Sequence, residues 1–172
     1  MSETNARTRT FSWDDPRIGA RAVPTMSGRD YLEAIGRGEL PPPPIMSLMA
    51  MEAVEVAEGR MVFAVEPAEF HYNTIGSVHG GVAATLCDSA MGCAIHTLLP
   101  AGAGYTTLEL KVNYIRPLTI ETGRVICEGR VIHSGGRMAT AEARLLGADG
   151  TLYAHATTTC MIFRPPAARD KP

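Results

Sequence analysis

Residues 73–99 read NTIGSVHGGVAATLCDSAMGCAIHTLL, and this stretch decides the fold. After its His-Gly-Gly the sequence is apolar on almost every side, until a proline follows. Such a run predicts one long helix over about residues 80–99. Its length approaches that of a membrane span, but Asp88 and His96 within it favour a buried core helix. Because a helix that is apolar all round must be enclosed, we expect it at the centre of a domain.

Strand patterns lie on both sides of this helix. Upstream, residues 47–67 predict two strands around a turn at residues 58–60. Downstream, four strand patterns follow one another through short turns, at residues 105–117, 121–133, 136–147 and 151–163. The order β-β-α-β-β-β-β predicts an α+β fold in which a curved antiparallel sheet of about six strands wraps around one long central helix.

The first strand after the helix, YTTLELKVNYIRP at residues 105–117, alternates strictly between two kinds of side chain. Strict alternation predicts a half-buried strand with one face toward the core. One face would carry Thr106, Leu108, Leu110, Val112 and Tyr114, and the other Thr107, Glu109, Lys111 and Asn113.

The chain divides into three parts. Residues 1–44 predict an N-terminal extension with a short helix at 28–37 and a proline-rich spacer at 41–44, which we expect to be extended and to end any helix. Residues 45–165 would form the compact domain, and residues 166–172 a flexible tail. A chain of 172 residues is long enough for one domain with a substantial core.

Composition excludes several classes of function. The formal net charge is -2 and no basic stripe occurs, so we expect no nucleic-acid partner. The four cysteines form no C-x-x-C pair and fit no metal ligand set, so we expect reduced thiols, no metal and no cofactor. The first residues contain no apolar segment typical of a signal peptide, which favours a cytoplasmic protein without a membrane partner.

The predicted helix carries one polar stripe, formed by Thr85, Asp88, Ser89, Gly92 and His96. A carboxylate that borders apolar surface is costly unless it is paired or used, so Asp88 is a candidate general base or nucleophile. A simpler interpretation is a carboxylate bonded to a neighbouring hydroxyl or facing solvent. The glycine pair at the helix start offers unpaired N–H groups to an oxyanion, although it also suits a tight loop-to-helix turn.

The spacing of these groups has a geometric consequence. Gly80 and Asp88 are eight residues apart, which is about 12 Å along a helix. One carbonyl cannot lie about 3 Å from both groups. If the two act together, they belong to different chains of a two-fold dimer, whose two sites each combine Asp88 of one copy with Gly80 of the other.

The pattern N-x-x-G-x-x-H-G-G, followed after six residues by Asp88 and then by TTLELKVNYIRP, resembles the PaaI-type hotdog-fold acyl-CoA thioesterases of the 4-hydroxybenzoyl-CoA thioesterase superfamily. The resemblance covers about residues 45–163. It implies hydrolysis of an acyl-CoA thioester, with coenzyme A as part of the substrate. It also implies an active site at a dimer interface and frequent tetramers.

The resemblance assigns a role to each of five residues. Asp88 matches the nucleophile or the base toward water, and Gly80 matches the residue whose N–H polarises the thioester carbonyl. Asn73 matches a side chain that positions the water or the carbonyl from the partner subunit. His79 matches a residue that shapes the glycine loop, and Thr107 matches a hydroxyl that orients the water or the carboxylate.

Further residues are candidates for substrate binding. Because coenzyme A carries phosphates, we expect cationic groups and free N–H groups near the site. The candidates are Gly81, Ser89, Arg116, Ser134, Gly135, Gly136 and Arg137. Two other functions stay open at this point: a hotdog enoyl-thioester hydratase or dehydratase, and a non-catalytic module that binds acyl-CoA.

Overall fold

The computed structural model describes residues 6–164. Three short helices come first: α1 (Arg17–Ala22), α2 (Gly28–Gly36) and α3 (Pro44–Met49). Then come β1 (Met51–Ala57), β2 (Arg60–Val65), the long helix α4 (Gly80–His96), β3 (Gly104–Tyr114), β4 (Val125–Ser134), β5 (Met138–Gly147) and β6 (Leu152–Phe163). From β1 onward the order is the predicted β-β-α-β-β-β-β.

The six strands form one antiparallel sheet in the order β1-β2-β4-β5-β6-β3, and α4 contacts all of them. Leu86, Met91 and Ile95 of α4 are completely buried, and burial of each such side chain stabilises the fold by about 1.5–3 kcal/mol. Helix and sheet approach so closely at Gly129 that a Cβ there would lie 2.4 Å from the helix backbone. The predicted fold class is confirmed. Among residues 6–164, no helix is long and apolar enough to cross a membrane.

A β-bulge in β3 changes which side chains face the helix. Thr107 and Glu109 pair with consecutive residues of β6, so Leu108 is an extra residue in the strand. The extra residue reverses the alternation: Thr107 and Leu110 lie on the same, partly buried face, whereas Leu108 is exposed. The strict alternation predicted for this strand is therefore wrong, because a bulge shifts the two-residue period by one position.

The N-terminal extension contains more helix than its sequence predicts. The predicted helix at 28–37 is present as α2, and the Ser27 hydroxyl caps it by accepting the Asp30 N–H at 3.2 Å. Helices α1 and α3 were not predicted. The expectation that the proline run ends any helix is wrong for Pro44, which opens α3 at a position where the missing N–H costs nothing. The predicted domain start at residue 45 thus lies inside α3, and the predicted tail lies outside the described residues.

The extension is attached to the domain by specific contacts. The Arg9 guanidinium donates to the carbonyls of Ser47 and Leu48, both at 2.6 Å, and lies 4.0 Å from the centroid of the Phe70 ring. The N–H of Gly28, at the start of α2, donates to the Leu99 carbonyl at 2.9 Å. The Arg9 contacts tie the start of the extension to α3 and Phe70, and the Gly28 bond holds α2 against the end of α4.

Candidate active site

The carboxyl group of Asp88 lies midway along α4, where β3 supports it. Thr107 Oγ1 donates a hydrogen bond of 2.9 Å to Asp88 Oδ1. This contact depends on the bulge, which turns Thr107 toward the helix. Within residues 6–164, Oδ2 of Asp88 has no hydrogen-bond partner, and the residue is only partly buried. One oxygen is therefore oriented by the fold, and the other is open to water or a ligand.

The titratable groups around Asp88 are neutral at pH 7. Burial raises the pKa of the Cys93 thiol to about 12, and it raises the pKa of Tyr105 well above its usual value. Burial also raises the pKa of Cys160, whose Sγ lies 3.9 Å from Thr107 Oγ1. A protonated thiol is a poor nucleophile, so Asp88 is the better candidate for chemistry in this cluster.

In the described part of the chain, no group of three or more His, Cys, Asp or Glu residues could hold a metal ion.

Asn73 organises the loop that leads into α4. Its Oδ1 accepts the N–H groups of Ile75 at 2.9 Å and Ser77 at 3.2 Å, while its Nδ2 donates to Ser77 Oγ at 3.1 Å. The backbone then pairs across the loop, from Val78 N–H to the Leu118 carbonyl at 2.8 Å. In the single chain, Asn73 therefore fixes the position of the helix start. Its predicted role toward a partner subunit stays a prediction.

The first N–H groups of α4 are in different situations. His79 Nδ1 accepts the Gly81 N–H at 2.8 Å, and the His79 carbonyl accepts the Val82 N–H at 2.9 Å. Within residues 6–164, the Gly80 N–H has no acceptor. The N–H of Gly81 is thus not free for substrate, contrary to expectation. That residue is instead a glycine because a Cβ there would lie 2.9 Å from His79 Nδ1.

The free N–H of Gly80 borders a cleft of about 330 Å³, formed with the end of β3 and the segment after it. A Cβ at Gly80 would lie 3.2 Å from the ring of Tyr114, which covers the helix start. Arg116 lines the same cleft, held by a hydrogen bond of 2.8 Å from Nη1 to the Leu152 carbonyl. The cleft therefore brings together the free N–H of Gly80, the Tyr114 ring and the exposed guanidinium of Arg116.

The predicted site residues fall into two groups at different levels of α4. His79, Gly80 and Arg116 lie at its start. The turn from Ser134 to Arg137 lies at the other end of the sheet, because the next residue, Met138, pairs with Met161, which also pairs with Thr106. This exposed turn is thus on the side of the Thr107–Asp88 pair, as is Ser89, which follows Asp88. One chain does not bring the two groups together.

Sequence reasoning missed several residues that shape these two groups. Ser77 holds Asn73 in place, and Asn73 itself, whose Oδ1 accepts the Ile75 N–H two residues on, was the available signal for an Asx turn. Tyr114 covers Gly80, which no sequence pattern indicates. Tyr105 lies against Gly92, where a Cβ would be 2.7 Å from the ring. A glycine inside an otherwise apolar helix was the available signal for a close approach of this kind.

Comparison with known proteins assigns the family. A family model described as the thioesterase superfamily matches residues 75–154, which include α4 and β3 to β5. A Halobacterium salinarum protein described as an esterase is 30% identical over 118 residues, which are 66% of this chain and 76% of that protein. The chain belongs to the thioesterase superfamily. It is a hotdog-fold thioesterase of the PaaI type, as its sequence predicts.

Two further relatives agree with this assignment. Human acyl-coenzyme A thioesterase 13 is 29% identical to the thioesterase described here over 107 residues, which are 62% of this chain and 75% of the human protein. A solved structure from Ralstonia eutropha, described as a thioesterase related to phenylacetic acid degradation, is 26% identical with a TM-score of 0.69. That likeness covers 76% of this chain and 98% of the Ralstonia chain. The whole N-terminal extension, residues 1–44, lies upstream of the family-model match.

Proposed function

We propose that this thioesterase hydrolyses acyl-CoA thioesters, with Asp88 as the general base. The observation that carries the proposal is the Thr107–Asp88 hydrogen bond of 2.9 Å, which orients Oδ1 and leaves Oδ2 without a partner among residues 6–164. A base of this kind must have an oxygen available to a water molecule next to the carbonyl. The carboxylate lies on the one polar stripe of an otherwise apolar helix, which leaves it partly exposed.

The reaction needs a base and an oxyanion donor. Oδ2 of Asp88 takes a proton from water while the water oxygen attacks the thioester carbonyl carbon. The resulting oxyanion accepts the Gly80 N–H, and the tetrahedral intermediate then collapses with cleavage of the C–S bond. The thiolate of coenzyme A leaves and takes up the proton, which gives a free acid and a thiol.

The two catalytic groups must come from two chains. Gly80 and Asp88 are about 12 Å apart along α4, too far for one carbonyl. Strand β3 supports a dimer, because it is an edge strand of 11 residues whose Leu108 and Tyr114 are 54% and 57% exposed. A long, apolar edge strand presents a row of unpaired backbone N–H and C=O groups to which a strand of another chain can bind. In the proposed dimer, β3 pairs with β3, and Asp88 of one copy approaches Gly80 of the other.

Coenzyme A is the proposed leaving group for two reasons. Human acyl-coenzyme A thioesterase 13, at 29% identity, carries that substrate in its name. The chain also offers two exposed arginines, Arg116 beside Gly80 and Arg137 in the turn on the Asp88 side, for phosphate groups. We propose further substrate contacts from Ser89 and from the backbone of residues 134–136, and no bound cofactor.

Hydration of an enoyl thioester is less well supported. That reaction pairs a histidine with a carboxylate for proton transfer at carbon. His79 is nine residues before Asp88, and its Nδ1 accepts the Gly81 N–H at 2.8 Å. The histidine therefore serves as the helix cap. If the protein adds water to crotonyl-CoA, measured as a loss of the absorbance of the enoyl group, hydration becomes the better supported function.

The test is release of free coenzyme A, followed with a thiol reagent. The panel contains acetyl-, hexanoyl-, lauroyl-, phenylacetyl- and hydroxybenzoyl-CoA. We expect turnover of at least one thioester by the wild type and a loss of at least about a hundredfold in Asp88→Asn. The matched control is Asp149→Asn, which changes a carboxylate in an exposed turn between β5 and β6. Binding without turnover in the wild type would instead indicate the non-catalytic module.

A further inference from the structure

A second cavity, of about 150 Å³, lies between the extension and the central helix. Helices α2 and α3 form its roof, with Leu32, Ile35 and Met46. Its floor includes Phe63 of β2, Cys93 of α4 and Tyr105 of β3. We call this cavity the roofed chamber. Its walls are mostly apolar, so it suits a group without charge.

The few polar groups of the roofed chamber do not add charge. Burial raises the pKa values of Cys93 and Tyr105 and lowers that of His96, so all three are neutral at pH 7. The three rings of Tyr31, His96 and Tyr105 follow one another, with centroids 5.6 Å apart in each pair. This row of rings connects the extension with the start of β3.

The roofed chamber adjoins the candidate catalytic carboxylate. The Tyr105 ring lies against Gly92, where a Cβ would be 2.7 Å from it. Gly92 is one helical turn after Asp88, a rise of about 6 Å. Thr107, two residues after Tyr105 on the same face of β3, makes the hydrogen bond to Asp88. The chamber thus lies about one helical turn from Asp88, with the Tyr105 ring at the boundary, a distance that an acyl group can span.

The roof consists of helices that precede β1, and α2 is fixed in place by a close contact with α4. A Cβ at Gly28 would lie 1.9 Å from the His96 carbonyl oxygen, so only glycine permits this approach of α2 to α4. All roof residues precede residue 75, where the match to the family model begins. A roof fixed in this position places a limit on the length of an acyl group that enters the chamber.

We propose that the roofed chamber receives the acyl group, and that α2 and α3 restrict this thioesterase to acyl groups of about six carbons or one aromatic ring. An apolar cavity of 150 Å³ holds about one benzene molecule. The proposal rests on the thioester hydrolysis proposed above, and it names the class of substrate: hexanoyl- and phenylacetyl-sized thioesters of coenzyme A.

The test compares kcat/KM for butyryl-, hexanoyl-, octanoyl-, lauroyl- and phenylacetyl-CoA. We expect the wild type to prefer the hexanoyl and phenylacetyl thioesters over the lauroyl one by at least about tenfold. Ile35→Ala enlarges the chamber and should move the optimum toward octanoyl. Ile35→Phe fills it and should lower kcat/KM for phenylacetyl-CoA by about tenfold while sparing butyryl-CoA. The matched control, Ile45→Ala, removes the same atoms from an exposed residue of α3 that does not line the chamber.

A binding measurement separates the failure of this proposal from failure of the proposed hydrolysis. Titration calorimetry with the thioethers S-hexyl-CoA and S-dodecyl-CoA needs no turnover. Weaker binding of S-hexyl-CoA to Ile35→Phe, with unchanged binding to Ile45→Ala, supports the chamber even if no thioester is hydrolysed. Turnover with the same chain-length profile in every variant overturns the chamber and leaves the hydrolysis intact. If neither thioether binds and no thioester turns over, both proposals fail.

Discussion

Thr107 Oγ1 lies 2.9 Å from Asp88 Oδ1 because Leu108 is an extra residue in β3. Without the bulge, the two-residue period of a strand would not place Thr107 on the same face as Leu110. The helix supplies the carboxylate, and the irregular strand orients it. Two elements far apart in sequence thus define one side of the candidate site.

The hydroxyl of Thr107 is expected to matter for rate more than for stability. Thr107→Val keeps the shape and removes the donor to Asp88, so kcat should fall by about ten- to a hundredfold. Thr107→Ser keeps the donor and should retain most of the activity. Thermal unfolding of both variants provides the control for folding. Equal kcat values for the two variants would mean that the hydroxyl has no part in orienting the carboxylate.

The Gly80 N–H can be removed with little change to the helix. Proline suits the first position of a helix, and this N–H has no acceptor within residues 6–164. We expect Gly80→Pro to lower kcat by about a hundredfold. Gly80→Ala keeps the N–H but adds a Cβ 3.2 Å from the exposed Tyr114 ring, so it reports the steric effect alone.

Mixed dimers test whether each site is shared by two chains. When the Asp88→Asn chain and the Gly80→Pro chain are co-expressed, a mixed dimer has one site that carries both substitutions and one site that carries neither. Random pairing should therefore restore about a quarter of the wild-type activity. If each chain holds a complete site, every site carries one lesion and the mixture stays inactive. Light scattering on the same samples measures the oligomeric state.

The route of the oxygen atom distinguishes a base from a nucleophile. In a single turnover in ¹⁸O-labelled water, attack by water places the label in the acid product and none in Asp88. We expect this result. A covalent route passes through a mixed anhydride, and attack of water at the Asp88 carbonyl would place the label in that side chain. Mass spectrometry of the peptide that contains Asp88 reads the outcome.

The two arginines are expected to bind the nucleotide part of the substrate. Arg116→Gln and Arg137→Gln should each raise KM for an acyl-CoA by several-fold, with little change in kcat. The same acyl group on N-acetylcysteamine lacks the phosphates, so its KM should not respond to either substitution. Arg124→Gln, on an arginine paired with Glu52 at 2.7 Å, is the control for a change of net charge. An equal rise in KM for the CoA thioester and the N-acetylcysteamine thioester would show that the arginines do not bind the phosphates.

The free energy of unfolding should fall as the pH drops below about 6.5, the usual pKa of histidine. His71 is buried, with Nδ1 accepting the Ala68 N–H at 3.1 Å and Nε2 lying 3.1 Å from the Met49 carbonyl. Burial lowers its pKa and outweighs the hydrogen bond to the Met49 carbonyl, which acts in the opposite direction, and the Arg9 charge lowers the pKa further. Because the unfolded chain then binds more protons than the folded chain, stability rises with pH across this window.

Urea unfolding between pH 5 and pH 8 measures this dependence. His71→Asn retains an acceptor for the Ala68 N–H but does not titrate, so the slope should become shallower. Part of the slope should remain, since burial also lowers the pKa of His96. An unchanged slope in His71→Asn would place the acid sensitivity elsewhere in the fold.

The sequence by itself determined the class of fold and the candidate carboxylate. The apolar run after the glycine pair predicts a helix that must be buried on all sides. The strand patterns before and after it predict the sheet that buries it. The spacing of Gly80 and Asp88 predicts two chains for one site if both groups act on the same carbonyl, because the rise of a helix per residue is fixed. A local sequence pattern predicts structure reliably when one repeat period or one distance along a helix is enough to define it.

Tertiary structure alone decided the rest. The bulge at Leu108 turned Thr107 inward. The alternation of side chains in the sequence does not reveal it, because the inserted residue is defined only by how β3 pairs with β6. The cap by His79 used the Gly81 N–H and left that of Gly80 free among residues 6–164. The roofed chamber arose where helices of the extension met the end of α4. Contacts between segments distant in sequence depend on side-chain shape in three dimensions, which a linear pattern does not record.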